Sequence, residues 1–154
     1  MTMDRRQFGA HALAFAAVLP TGNQALAQSP TVPPPAWEEA VAKILKGTQP
    51  VPGKGLVLDI PEIAENGNTV PFTLVAESPM TEADHIRALH VISTGNPQPG
   101  VATFKFTPES GKASVSSRMR LGRTQDVIVI AELSDGRFMQ AKRYVKVTIG
   151  GCGG

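Results

Sequence analysis

The sequence predicts an all-β protein, an antiparallel β-sandwich with one short helix ahead of it and a glycine-rich arm behind it. Three observations predict this. Beyond Gly55 hydrophobicity alternates with a period of two, short alternating stretches are separated by turn residues with no helical stretch between them, and the chain closes on Gly150-Gly151-Cys152-Gly153-Gly154. The 154 residues, 42% hydrophobic and 18% charged, fit one ordinary domain. Fifteen basic against 13 acidic residues leave a charge of +2, too small and too dispersed for a protein that coats nucleic acid. One cysteine excludes an intrachain disulfide, and with three histidines it leaves too few soft ligands for a metal centre. No cofactor is expected.

Taken in order, residues 1–27 read as an export signal. Arg5-Arg6 precede an apolar run from Gly9 to Leu19, and Ala25-Leu26-Ala27 forms a small-residue cleavage site, so the mature chain is expected to begin at Gln28. The run is far short of the roughly 20 residues that span a bilayer, so no membrane anchor is expected. Asp4-Arg5-Arg6-Gln7-Phe8 is similar to the twin-arginine motif, although Gly9 and Ala10 stand where Leu and Lys often follow; general secretion is the alternative. The expected location is the periplasm. Twin-arginine export carries folded proteins, usually with a cofactor or companion subunit, and the lack of a cofactor motif favours the companion.

Residues 28–35 are a proline-rich linker, with Pro30, Pro33, Pro34 and Pro35 unable to donate to a ladder. From Ala36 the period becomes helical. Trp37, Ala40, Val41, Ile44 and Leu45 form a stripe, Glu38 and Glu39 sit in the first turn, Lys43 and Lys46 in the last, and Gly47 is the stop. The stripe is expected to pack on the domain's own sheet, with docking to a partner as the alternative.

Seven strands are predicted at Leu56–Ile60, Thr69–Ala76, Ile86–Ser93, Val101–Thr107, Ala113–Leu121, Asp126–Leu133 and Arg137–Ile149, joined by turns such as Asn66-Gly67, Ser78-Pro79, Asn96-Pro97, Ser110-Gly111 and Ser134-Asp135-Gly136. In the fifth, Ala113, Val115, Ser117, Met119 and Leu121 alternate with Ser114, Ser116, Arg118 and Arg120, which predicts one buried and one wet face. In the sixth, Val127-Ile128-Val129-Ile130-Ala131 is apolar on both faces and must be central. The domain, residues 36–149, is therefore read as an immunoglobulin-like sandwich, with a small barrel as its rival. The core disulfide and packed tryptophan of true immunoglobulin domains are missing, so only the architecture is implied.

A fold assigns no function, so the chemistry must come from a site. Residues 150–154 place a single thiol, Cys152, between glycines that impose no side chain and no preferred backbone. Gly150, Gly151, Gly153 and Gly154 suit a flexible arm that delivers the thiol into another protein's cleft. A free thiol with a pKa near about 8.5 is mostly unionised at neutral pH, and catalytic cysteines need a fixed base or cation that such a tail does not hold. The nearby C-terminal carboxylate disfavours the thiolate further. Catalysis is thus expected to reside in partners, with this chain bearing the substrate.

The glycine-flanked cysteine and the twin-arginine signal, with Glu65-Asn66-Gly67-Asn68-Thr69-Val70-Pro71-Phe72, Ser78-Pro79-Met80, Gly95-Asn96-Pro97, Val101-Ala102-Thr103-Phe104 and Val145-Lys146-Val147-Thr148-Ile149-Gly150, resemble the SoxY family. Its members are the sulfur-carrying subunits of the SoxYZ complex of bacterial thiosulfate oxidation. The resemblance implies that Cys152 is the covalent attachment point and the four glycines the swinging arm. It also implies a SoxZ companion lacking its own export signal and three partner enzymes: a c-type haem enzyme that joins thiosulfate to the cysteine, a hydrolase that releases sulfate, and a molybdenum–haem sulfane dehydrogenase where one exists.

Other readings stand beside this one. Cys152 alone would serve as an intermolecular disulfide handle. The Gly-Gly terminus would suit a thiocarboxylate carrier of ubiquitin-like type, although export separates it from cytoplasmic ATP, and a periplasmic structural or interaction domain leaves the tail without a role. His85 and His90 are expected to be structural. Basic residues accumulate late in the chain, and Arg118 and Arg120 are the candidates for partner docking, with a solvated sheet face as the plain alternative. Open sheet edges offer a second route to a partner.

Overall fold

The computed structural model describes residues 35–151. The expected signal segment, the linker before Pro35, and Cys152, Gly153 and Gly154 lie outside the described residues.

The helical stripe forms α1, Ala36–Leu45, with Glu38 and Glu39 in its first turn and Lys43 in its last. Lys46 adopts the left-handed conformation (φ 50°) and returns its N–H to the Ala42 carbonyl at 2.9 Å, and Gly47 follows at φ 84°. The stop predicted at Gly47 is thus spread over two left-handed residues, the second of which suits glycine.

Nine strands are present among the described residues: β1 Val51–Pro52, β2 Leu56–Asp59, β3 Ile63–Asn66, β4 Val70–Ala76, β5 Ile86–Ser93, β6 Gly100–Lys105, β7 Ala113–Met119, β8 Gln125–Leu133 and β9 Phe138–Ile149. The seven predicted strands are β2 and β4 to β9, with ends shifted by no more than two residues. They form two sheets, a large one ordered β1-β9-β8-β5-β6 with β3 also on β9, and a small one ordered β2-β4-β7.

The architecture departs from expectation in two places. β1 and β3 are additional, and both pair parallel to β9, Val51 opposite Met139 at one end and Ile63 opposite Lys146 through Asn66 opposite Ile149 at the other. The sandwich is therefore not wholly antiparallel. β9 is 12 residues long, and these two short pieces occupy parts of an edge that β8 leaves unpaired. Their brevity removes the alternation that would announce them: β1 has two exposed residues, and β3 buries only Ala64. The second departure lies in β7, where Ser117, expected inside, is exposed and Val115 only partly buried, because β7 is the outer strand of the small sheet.

The sheets enclose one core. Leu56, Leu58, Val70, Phe72, Leu74, Met119 and Leu121 meet Leu89, Val91, Val127, Val129, Ala131 and Val145. β8 is central, between β9 and β5, as its two apolar faces require. Its inward residues fill the sandwich, while Ile128 and Ile130 turn outward into a second cluster with Leu45, Ile92 and Phe138, over which Trp37, Val41 and Ile44 of α1 pack. The helix stripe thus docks on the chain's own sheet.

Candidate functional site

The described chain reaches the tail through three backbone segments that meet at one end of the sandwich. β9 ends at Ile149, whose carbonyl accepts the Gly67 N–H at 2.7 Å; the Gly67 carbonyl accepts the Leu121 N–H at 2.8 Å; and the Leu121 carbonyl accepts the Gly151 N–H at 3.0 Å. The β3–β4 turn, the β7–β8 turn and the tail are therefore tied in sequence. Local chemistry explains why the chain turns here. The Asn66 side chain accepts the Asn68 N–H at 2.9 Å in an Asx turn, and β3 delivers Gly67 alongside β9 through its parallel pairing.

The three backbone segments approach too closely for side chains. A Cβ on Gly67 would strike the Leu121 carbonyl oxygen and stand 2.7 Å from the Gly151 nitrogen. One on Gly150 would strike the Gly122 carbonyl, and one on Gly151 would stand 2.7 Å from the Gly67 carbonyl oxygen. Gly150 and Gly151, expected as the flexible start of the arm, are here packed, Gly151 with a hydrogen bond, and their missing side chains serve close approach. Cys152, Gly153 and Gly154 lie outside the described residues.

The β7–β8 turn is itself held by a carboxamide network. Asn96 accepts the Gly122 N–H at 2.9 Å and the Gln125 Nε2–H at 2.9 Å on one oxygen, and donates from Nδ2 to the Arg120 carbonyl at 2.8 Å. Gln125, 5% exposed, accepts the Gly95 N–H at 2.7 Å and donates to the Arg123 carbonyl at 3.0 Å. A buried carboxamide with all these partners is a rigidifying element, since any one left unmade carries a desolvation cost. Sequence reasoning took Asn96-Pro97 as a turn and missed this role. Gln125, two residues ahead of the apolar run Val127-Ile128-Val129-Ile130-Ala131, was the available signal.

Arg118 and Arg120 are both exposed. Arg118 stands opposite Pro71 in the β4–β7 register, whereas β7 ends at Met119, so Arg120 belongs to the turn, its carbonyl held by Asn96. Two other late basic residues are paired, Arg137 with Asp135 at 2.6 Å and Lys142 with Asp126 at 3.4 Å. His85 and His90 are occupied in the framework. His85 Nδ1 lies 3.0 Å from the Thr81 carbonyl, and His90 Nδ1 lies 3.0 Å from the Thr103 hydroxyl. His90 Nε2 is buried without a hydrogen bond, 3.8 Å from Glu132, an ion pair only when the ring is protonated. Burial lowers the His90 pKa below its usual value, against the smaller upward pull of Glu132.

Residues 41–152 match the family of the sulfur oxidation protein SoxY. The chain belongs to the SoxY family. Its match to the family begins within α1 and ends on the single cysteine, so it takes in the sandwich, the glycine contacts and Asn96. The fold is similar to that of the sulfur carrier protein SoxY from Chlorobium limicola f thiosulfatophilum, at 31% identity and a TM-score of 0.61, over 73% of this chain and 96% of that one. It is also similar to the superoxide reductase (neelaredoxin) from Ignicoccus hospitalis, at 18% identity and a TM-score of 0.53, over 60% of this chain and 79% of that one. The second likeness concerns the sandwich alone. Among curated proteins none is similar enough to count as a match.

Proposed function

We propose that this SoxY-family chain is a periplasmic sulfur carrier that holds thiosulfate-derived groups on Cys152 and presents them to partner enzymes of sulfur oxidation. The observation that carries the reading is the end of the family match at Cys152, the chain's one thiol, directly after a glycine that the sandwich grips. A cysteine flanked only by glycines has no fixed base beside it in sequence, so its chemistry is that of a handle.

In the first step the Cys152 sulfur bonds the outer sulfur of thiosulfate, the thiol gives up its proton, and two electrons pass to a c-type haem partner, leaving a cysteine S-thiosulfonate. A hydrolase then adds water across the bond to the oxidised sulfur, releasing sulfate and two protons and leaving a persulfide anion. A molybdenum–haem dehydrogenase, where present, would take six electrons from the outer persulfide sulfur, with three waters supplying its oxygens and six protons released, and hydrolysis of the resulting S-sulfonate returns sulfate and the free thiol. The carrier supplies none of the electron acceptors. A SoxZ-like companion completes the complex, and export by the twin-arginine route delivers it folded, both in keeping with the signal read at Arg5-Arg6.

Intact-mass spectrometry of the protein from thiosulfate-grown and thiosulfate-free cells tests this. Thiol-reversible additions of sulfur or thiosulfonate mass on the peptide containing Cys152, lost in Cys152→Ser, are expected. An unmodified tail under both conditions overturns the reading in favour of an interaction domain.

A further inference from the structure

The outer edge of β9 is covered at both ends and open in the middle. β1 pairs with it as far as Gln140, whose carbonyl also accepts the Gly53 N–H at 3.0 Å, and β3 begins opposite Lys146, whose N–H reaches the Glu62 carbonyl at 2.8 Å. Between these contacts the chain leaves the large sheet, forms β2 in the small one and returns. Backbone groups along a strand alternate in direction across the ladder. Gln140 and Lys146 turn theirs away from β8, so Lys142 and Tyr144, of the same parity, turn their N–H and C=O groups outward into the gap, where no described strand pairs with them. The side chains show the same opening. Arg143 has the parity of the fully buried Val145, yet it is exposed.

A surface groove of about 420 Å³ lies at this gap, lined by Glu62, Ile63, Lys142, Arg143 and Tyr144. We propose that it is a strand-addition site for a short, extended, acidic segment of a partner protein, which pairs with Lys142 and Tyr144 between β1 and β3. Gln140 to Lys146 spans about 20 Å at about 3.3 Å per residue, which leaves room for about four residues between the two covering pieces. In strand addition the main chain supplies affinity and alternate side chains supply specificity. Tyr144 and Ile63, 63% and 58% exposed, stand on the sheet face that carries Ile128, so the segment's side chains on that face are apolar. Those on the opposite face meet Arg143. Neither Arg143 nor Lys146 has a carboxylate partner among the described residues, whereas Lys142 is held by Asp126, so a carboxylate on the segment complements the groove. A second copy of this chain is the poorer occupant, because its own β9 would set Lys142, Arg143 and Lys146 against the same cations.

The site rests on the edge of β9 and not on the carrier reading, so sulfur loading neither supports nor sinks it. Amide hydrogen exchange is measured by NMR on the full mature chain under reducing conditions, with and without an acetylated peptide, Thr-Glu-Val-Glu-Val-Glu-Thr, at about 1 mM. In the free chain the Lys142 and Tyr144 amides are expected to exchange at least about tenfold faster than those of Arg143 and Val145, which face β8. The peptide is expected to slow both about threefold or more while Val129 in β8 is unaffected, and the same peptide with lysine in place of glutamate to leave them unchanged. Arg143→Glu and Tyr144→Ala, both at exposed side chains, should each weaken peptide binding about fivefold or more with Val129 still protected. Lys142 and Tyr144 amides as slow as Arg143 in the free chain at every concentration mean that the gap is closed, and an equal response to both peptides, or to neither, removes the acidic segment. Protection that grows with chain concentration in the absence of peptide assigns the edge to a second copy and overturns the proposal.

Discussion

At His90 the sheet holds an imidazole that resists protonation. Its side chain is 16% exposed, one ring nitrogen is bonded to Thr103 and the other has no hydrogen-bond partner, so adding a charge there loses hydration that Glu132, at 3.8 Å, restores only in part. Because its pKa is lowered in the folded state, the unfolded chain binds the proton more readily, and the contribution of neutral His90 is present above the ordinary histidine pKa near about 6.5. Stability is therefore expected to fall as pH drops below that value. Thermal melts between neutral pH and about pH 5 should show the decline in wild type and a flatter profile in His90→Gln; parallel profiles would place the dependence elsewhere. The same scale separates what could be read from what could not. Cys152 announces itself by its neighbours in sequence, whereas Asn96 gains its meaning only from Gly122, Gln125 and Arg120, which lie more than twenty residues away.

Among the elements, β8 carries the heaviest packing duty, because it is buried on both faces and joins the sandwich core to the helix layer. Ile130 is fully buried in the outer cluster, so Ile130→Ala should cost about 2–5 kcal/mol in chemical denaturation through lost transfer energy and a cavity. Trp37→Ala, at a half-buried position over the same cluster, should cost less than Ile130→Ala. Equal losses would mean that the helix layer is as essential as the sheet beneath it. β9 shows how an element can be legible while its pairing is not. Its length and composition marked a strand, but the two parallel pieces on its outer edge have no sequence period of their own.

For the molecule as a whole, fold and chemistry are separable. The core lies between the two sheets, and the cysteine comes after the last strand in sequence, so Cys152→Ser should change stability by no more than about 0.5 kcal/mol in denaturant titration while abolishing sulfur loading. Arg118 and Arg120 are exposed just before Leu121, to which Gly151 is bonded, and no carboxylate among the described residues pairs with either. Reversing both charges should slow partner-dependent loading about tenfold at low salt, with the difference shrinking as ionic strength rises; equal rates at low salt would remove them from the docking surface.

The class of fold, the seven longer strands and the helix were all legible in the order of amino acids. Those properties are local: alternation selects a strand, a stripe selects a helix, and a lone thiol among glycines needs no tertiary context to stand out. The parallel cover on β9, the exposure of Ser117 on an outer strand, and the binding of Gly150 and Gly151 into the fold emerged only from long-range contacts. Each depends on which distant segments become neighbours. A glycine permits both free motion and close backbone contact, and only the presence of Gly67, Leu121 and Gly122 beside the tail selects the second.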